Sequence, residues 1–113
     1  MDRQSDLTFL RTFTGGNPDK IKKYVGMFLQ LCPTQLDTMS GQLSEQNYSG
    51  LRGTAHALKP QITYMGIKRG EDLIKSIEHN AGNNVDVEKL PDMLNEFRTI
   101  CQQAMEELKQ DIA

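Results

Sequence analysis

Apolar residues recur along most of this chain at intervals of three and four residues, the repeat of an α-helix with one buried face. The longest series is Ile21, Val25, Phe28, Cys32, Leu36, Met39 and Leu43. No convincing stretch alternates apolar and polar residues, so we predict no β-strands. A chain with such stripes buries them by packing its helices against one another, and an all-α fold is therefore expected.

Glycine and proline mark where the first two helices begin and end. A short helix is expected over residues 6–13, and the pair Gly15-Gly16 stops it. The second helix begins with Asn17 as N-cap and Pro18 in the first turn, where the missing N–H of proline is tolerated. Pro33 lies inside this helix, so we predict a kink or a local break just before it.

Three more helices are expected after this one. The third opens at Asn47 or Ser49 and is closed by Gly66, and the fourth ends at Gly82-Asn83-Asn84, a composition typical of helix C-termini. The last begins with Asp86 as N-cap and has a proline in or just after its first turn. Because short connections make neighbouring helices antiparallel, we predict an antiparallel up-down four-helix bundle with a short additional N-terminal helix.

Length and charge narrow the possible functions. The chain has 113 residues, the size of one domain, and we predict a single four-helix-bundle domain over residues 1–113. Its 13 basic and 15 acidic residues give a net charge of −2, which argues against a nucleic-acid or anionic-membrane binder. No apolar run approaches the roughly 20 residues that span a bilayer, and no signal peptide is visible. We expect a cytoplasmic monomer whose apolar stripes are all used within the bundle.

The cysteines and two other side chains have simple interpretations. Cys32 and Cys101 fall on apolar stripes, so core packing is preferred to redox or metal chemistry, and two cysteines make no disulfide framework. Zinc sites need closely spaced Cys and His ligands, and none are found. Met27 and Tyr64 are expected to be exposed and to join a docking patch.

His56 lies on the third predicted helix but off its apolar stripe. At 100° per residue it falls about 140° from the centre of that stripe, so its imidazole points largely to solvent. Arg52, Lys59 and Thr63 share its face. On phase alone, a surface histidine without a role stays possible. The other histidine, His79, lies near the end of the fourth helix, and capping through the helix dipole is its preferred interpretation.

Small or compact residues flank His56 on the same helix: Gly53, Ala57 and Pro60. A glycine in the middle of a helix costs about 0.5–1 kcal/mol relative to alanine, which suggests that a partner surface approaches closely here. Pro60 removes the N–H that would bond to the carbonyl of His56. We therefore expect a bend just past the histidine.

The sequence AHALK, residues 55–59, together with Gly66 ten residues after the histidine, resembles the signature of histidine-containing phosphotransfer (HPt) domains. That signature is H-x-L-K, usually followed by glycine, with a second glycine ten positions after the histidine. The segment FTGGNPDKIKKYVGMFLQLCP is similar to the first long bundle helix of these domains, and the resemblance covers nearly the whole chain. Pro60 stands where the family usually has glycine, and it also keeps this flank free of a long side chain.

The resemblance implies a phosphorelay intermediate. His56 would accept a phosphoryl group from the aspartyl phosphate of a receiver domain and pass it to another receiver, and Lys59 would stabilise the phosphoryl charge. The partner-docking residues would be Arg52, Gly53, Ala57, Pro60, Gln61, Thr63 and Gly66. The implied partners are response-regulator receiver domains and a hybrid sensor histidine kinase, without nucleic acid or membrane.

A carrier of this kind is not an enzyme with its own ATP-dependent or metal-dependent site. The sequence shows no catalytic base, metal-ligand set or nucleotide motif, so we expect no cofactor, with Mg²⁺ supplied on the receiver. The acidic side chains are interpreted as solvated surface, and a small metal-dependent enzyme is disfavoured. The alternative is a non-catalytic helical adaptor that docks receiver or kinase domains without carrying phosphate. Only the chemistry of His56 separates the adaptor from the carrier.

Overall fold

The computed structural model describes residues 3–113, so the first two positions of the predicted domain lie outside the described residues. Within this range the chain forms five α-helices and one 3₁₀ turn: α1 (Thr8–Phe13), α2 (Pro18–Ser44), α3 (Tyr48–Tyr64), α4 (Lys68–Asn83), the 3₁₀ turn Val87–Lys89, and α5 (Leu90–Asp111). No strand is present in these residues, as predicted. Across the same residues, no helix combines the length and the apolar character needed to cross a membrane.

The four long helices close into a bundle. Helix α2 contacts α3 and α5, and α4 contacts the same two helices, so their apolar stripes meet in one core. Phe28 and Phe97 are the largest fully buried side chains. Cys32 and Cys101 are free thiols without exposed surface, which confirms their predicted place in the core. The hydrogen bond with Cys32 and burial raise the pKa of the Cys101 thiol, so this thiol is neutral.

The start of α2 follows its predicted cap, but its interior differs from the expectation. The side chain of Asn17 accepts hydrogen bonds from the backbone N–H groups of Asp19 at 3.0 Å and Lys20 at 3.2 Å. The helix then runs through Pro33 to Ser44, so the predicted local break is wrong. Buried side chains on both sides of the proline hold the two halves in the core, which offsets one lost backbone hydrogen bond. The alternative kink stays a prediction.

The entry into α5 corrects a second expectation. Asp86 does not cap this helix: it has a positive φ of 48°, its side chain makes no cap hydrogen bond, and the 3₁₀ turn follows it. Helix α5 begins at Leu90, which puts Pro91 in the first turn. A helix that began at Asp86 would place Pro91 beyond the first turn, where its missing N–H would leave a carbonyl unpaired. Helix α1 begins at Thr8, two residues after its predicted start, and it ends at Phe13 as predicted. Two further boundaries are confirmed, with Asn47 as the cap of α3 and Asn84 ending α4 in the left-handed conformation.

The turn after α3 packs against the N-terminal segment. The backbone N–H of Asp6 donates to the carbonyl of Met65 at 2.9 Å, and a Cβ on Gly66 would overlap the carbonyl oxygen of Asp6. Gly66 also has a φ of +66°, which favours glycine. This glycine was expected to take part in partner docking. The structure instead accounts for it by a contact within the chain.

Replacing Gly66 by alanine is expected to lower the free energy of unfolding by about 1–3 kcal/mol, because the left-handed backbone and the contact with Asp6 both oppose a Cβ. Gly53→Ala is the matched control, since a Cβ there meets no atom within 4 Å. It should raise the same quantity by about 0.5–1 kcal/mol. Urea denaturation followed by circular dichroism measures both, and equal shifts would contradict this account.

Candidate functional site

His56 is exposed because the rest of α3 is packed. The helix buries Leu51, Ala55, Leu58 and Ile62 along one side, which fixes its rotation about its own axis. The side chain of His56 keeps 67% of its surface exposed. The predicted orientation of this histidine toward solvent is therefore confirmed.

A carboxylate from the neighbouring helix joins the two polar residues of the predicted site. Oε1 of Glu78 on α4 lies 2.9 Å from Nδ1 of His56, and Oε2 lies 2.9 Å from Nζ of Lys59. Only 17% of the Glu78 side chain is exposed. The interpretation of all acidic side chains as solvated surface is wrong at this position.

The position of Glu78 on α4 explains why it faces α3. It follows the buried Ile77 directly, and it lies four residues after Ile74 and three before Ala81, which are also buried. Glu78 therefore stands at the edge of the apolar stripe, where a long side chain reaches the neighbouring helix. That edge position is the sequence signal that could have identified it.

Glu78 carries a negative charge in this arrangement. The hydrogen bond from Lys59 lowers the pKa of the Glu78 carboxyl, partial burial opposes this effect, and the hydrogen bond with His56 lowers it further. The net direction is downward from the usual glutamate value, so Glu78 is ionised at neutral pH.

The charged carboxylate determines which nitrogen of His56 holds the proton. An ionised carboxylate only accepts hydrogen bonds, so Nδ1 of His56 must be the donor. In the neutral ring the other nitrogen, Nε2, then has no proton and presents its lone pair. His56 is thus an exposed imidazole whose tautomer makes Nε2 a nucleophile.

The Nδ1 atom of His79 faces an amide nitrogen, whereas that of His56 faces a carboxylate. The amide nitrogen of Asn83 lies 3.2 Å from Nδ1 of His79 and also donates to the backbone carbonyl of His79 at 2.8 Å. If the amide donates to Nδ1, the neutral ring carries its proton on Nε2. The predicted capping role is wrong, since residues 80–83 form the last turn without a basic residue and Asn84 ends the helix.

Cationic groups lie on the side of His56 that faces α4. Arg52, Lys59 and Lys75 line a shallow groove there, together with Glu78 and the imidazole of His79. The aliphatic stem of Arg52 lies across α4 at Gly82, where an added Cβ would come within 2.6 Å of its Cδ. Arg52 therefore extends over the neighbouring helix instead of standing free beside the imidazole.

The opposite side of His56 is formed by small residues. Gly53, Ala57 and Pro60 are exposed, and the surface beside Gly53 is open because a Cβ there meets nothing within 4 Å. Thr63 is exposed as well, whereas Gln61 is half-buried. All of the predicted docking residues except Gly66 and Gln61 are thus accessible around His56.

An exposed group of large apolar side chains borders this side. We call it the aromatic surface, and it consists of Phe9, Phe13, Tyr24, Met27 and Tyr64. The ring of Phe9 stacks on Tyr64 with centroids 5.5 Å apart, and Phe13 meets Tyr24 edge-on at 5.9 Å. Gln61 lies at its margin. The predicted exposure of Met27 and Tyr64 is confirmed, whereas the contributions of the other three were not foreseen.

Such a surface is typical of protein–protein contact sites. Helix α1 brings Phe9 and Phe13 to the end of α3, and helical spacing alone gave no sign of that meeting. A single chain thus presents an exposed histidine between a cationic groove and an aromatic surface.

Comparison with known proteins gives two findings. The sequence matches the family described as Hpt domain over residues 23–112. The fold is similar to the crystal structure of histidine-containing phosphotransfer protein B (HptB) from Pseudomonas aeruginosa, with a TM-score of 0.89 and 18% sequence identity, covering 99% of this chain and 96% of that one. Among curated proteins, no sequence matches significantly.

Replacing Glu78 by glutamine is expected to abolish the preference for a proton on Nδ1 of His56, because an amide can donate as well as accept. Long-range ¹⁵N–¹H NMR spectra of the histidine rings at pH 8 report the tautomer directly. Wild type should show Nδ1 protonated and Nε2 bare, and the variant should show a mixture. Glu96→Gln, an exposed glutamate on α5, is the control and should leave the spectrum unchanged. A wild-type ring protonated on Nε2 would contradict the assignment.

Proposed function

This chain belongs to the Hpt domain family, and from that premise we propose that His56 is the residue that carries the phosphoryl group. The protein is a phosphorelay intermediate that accepts a phosphoryl group on histidine from a receiver aspartyl phosphate and passes it to another receiver. The observation that supports His56 is its hydrogen bond with Glu78, which leaves Nε2 bare on an exposed ring. The adaptor alternative is not favoured.

The proposed step is a direct displacement at phosphorus. The lone pair of Nε2 attacks the phosphorus of the aspartyl phosphate, a P–N bond forms as the P–O bond breaks, and the aspartate leaves as a carboxylate. The imidazole ring becomes positively charged in this step. Glu78 stabilises that charge through the proton on Nδ1, in the way that a buried carboxylate supports an imidazolium in other active sites. The reverse step returns a neutral ring.

Lys59 is proposed to stabilise the charge of the phosphoryl group. It lies one helical turn after His56, and its ammonium pairs with the same Glu78 carboxylate that bonds to the His56 ring. Transfer of a phosphoryl group depends on positioning and on compensation of its charge more than on covalent help from the protein. An anion bound at Nε2 would attract the ammonium of Lys59 away from Glu78 or into contact with both.

Receiver domains and kinases are the partners of such a domain. We propose that the donor is a hybrid sensor kinase, that the receiver docks over Gly53 and the aromatic surface, and that the protein acts as a cytoplasmic monomer. Open space beside Gly53 and the exposed rings support this placement.

We also propose that the protein has no ATP-dependent or metal-dependent site of its own and no resident cofactor. The protein itself is a phosphotransfer carrier. Within residues 3–113, no group of three or more His, Cys, Asp or Glu side chains is placed to hold a metal ion. The Mg²⁺ that the reaction needs is proposed to sit on the receiver, and removal of Mg²⁺ from the receiver mixture by EDTA is expected to stop the transfer.

His56→Gln is expected to abolish phosphate acceptance while receiver binding is retained, because glutamine keeps a polar side chain but removes the nucleophile. The measurement uses ³²P-labelled receivers, followed by tests for an acid-labile, base-stable product and by a binding titration. His79→Gln is the matched control and should accept phosphate at the wild-type rate. Label on the His56 variant, or its loss from the His79 variant, would refute the assignment.

Gly53→Gln is expected to weaken receiver binding at least about tenfold, because a long side chain would fill the open space that the partner needs. The helix itself should tolerate the change, since glutamine is a better helix former than glycine. Gly41→Gln is the control: Gly41 is exposed in α2 with open space around it. Titration by isothermal calorimetry compares the two, and equal affinities would place the docking surface elsewhere.

A further inference from the structure

A short segment before α1 is tied to the C-terminal helix. We call residues 3–7 the strap. The side chain of Glu107 on α5 accepts hydrogen bonds from the backbone N–H groups of Gln4 and Ser5, both at 2.9 Å, and from Oγ of Ser5 at 2.7 Å. Ser5 keeps only 4% of its surface exposed. One carboxylate therefore holds two consecutive residues of the strap.

The rest of the strap is fixed at two other points. Arg3 pairs with Asp111 at 2.6 Å, near the end of α5. On the far side, Asp6 donates its backbone N–H to the carbonyl of Met65 at the end of α3. The strap thus joins the C-terminal part of α5 to the turn that follows α3. Glu107 makes more hydrogen bonds with the strap than Asp111 or Met65 does.

Helix α1 depends on this strap for its position. It has only six residues, too few to be stable alone, and its N-cap Leu7 makes no side-chain cap hydrogen bond. At its other end lies the turn Gly15-Gly16, in which both glycines have positive φ. A Cβ added at either glycine would meet no atom within 4 Å. Buried Leu10 holds the middle of α1, while its two aromatic rings stay exposed on the surface.

We propose that Glu107 is a positioning residue for receiver docking. It anchors the strap, the strap fixes the start of α1, and α1 presents Phe9 and Phe13 in the aromatic surface. The inference rests on the proposed function, in which this surface contacts the receiver. None of the hydrogen bonds of Glu107 involves His56, Lys59 or Glu78, so its effect is expected on docking and not on the phosphoryl-transfer step.

The charge of Glu107 supports this role. Burial raises the pKa of its carboxyl, but the hydrogen bonds from Ser5 and Gln4 outweigh burial, and the net direction is downward. An ionised carboxylate is a stronger acceptor than a neutral amide. Glutamine at this position would keep the volume, but its single neutral oxygen would be a weaker acceptor for Ser5, and its NH₂ group could not accept the shorter hydrogen bond from the backbone N–H of Gln4.

The test is Glu107→Gln, with Glu106→Gln as the matched control. Glu106 is the adjacent residue, its side chain is 71% exposed, and its ion pair is a local one with Lys109. Hydrogen exchange of residues 3–13, measured by mass spectrometry, is expected to become at least about tenfold faster in the Glu107 variant. Transfer from a phosphorylated receiver should show a KM raised at least about threefold, with kcat at saturation unchanged.

A small phosphoryl donor separates docking from chemistry. Phosphoramidate needs no docking surface, so it should phosphorylate the Glu107 variant and wild type at the same rate. Ser5→Ala removes one of the three donors by which the strap binds Glu107, so it should raise KM by less than Glu107→Gln does. It replaces Glu107→Gln in the test if that variant does not fold.

The outcomes are distinct. A wild-type KM in both Glu107→Gln and Ser5→Ala would overturn the role of Glu107. So would an equal loss of the phosphoramidate and receiver reactions. A wild-type protein that accepts phosphate from neither donor would refute the proposed function itself.

Discussion

Burial of the apolar stripe of α3 is the constraint on which the functional surface depends. The four buried side chains of this stripe have 1% or less of their surface exposed, and each of the three large ones, Leu51, Leu58 and Ile62, contributes about 1.5–3 kcal/mol when it is removed from water. A rotation of α3 that hid His56 would bring several of them to solvent, at a cost comparable with the whole stability of a small domain. The exposure of the imidazole is therefore set by core packing. The same rotation directs Lys59 toward α4 and leaves Gly53 facing open space on the other side.

Glu78 turns that exposed imidazole into a defined chemical group. Without a partner, a surface histidine samples rotamers and both tautomers, and only a fraction of its molecules present a given nitrogen. The carboxylate removes part of that freedom by holding Nδ1, and its second oxygen holds the ammonium of Lys59 in the same place. Both oxygens of a mostly buried carboxylate are thereby satisfied, so its burial does not leave an unpaired charge. The proposed nucleophile, the residue that orients it and the proposed compensating cation come from two adjacent helices that pack closely.

The sequence predicted the features that depend on periodicity and missed those that depend on where helices meet. The stripes, the caps Asn17 and Asn47, and the phase of His56 follow from residues close in sequence, and the structure confirms them. Glu78 lies 22 positions after His56, and helical phase says only that it stands at the edge of its own stripe. The position of α1 beside Tyr64 depends likewise on the path of the strap. The local rule for helix caps also failed at Asp86. Proline costs a helix least in its first turn, so α5 begins just before Pro91 and not at Asp86, although aspartate is a good cap residue.

In the proposed complex, the two sides of His56 suit different parts of an encounter with a receiver. Cations on the α4 side act over a distance of about a Debye length, roughly 8 Å at physiological salt, and they favour the approach of an acidic surface. The aromatic surface acts only on contact, and its contribution is not screened by salt because it comes from removal of apolar area from water. A transient carrier needs a fast encounter and a modest affinity, since it must release one receiver before it meets the next. The proposed nucleophile, placed between a proposed steering side and a proposed docking side, meets that requirement without a deep pocket.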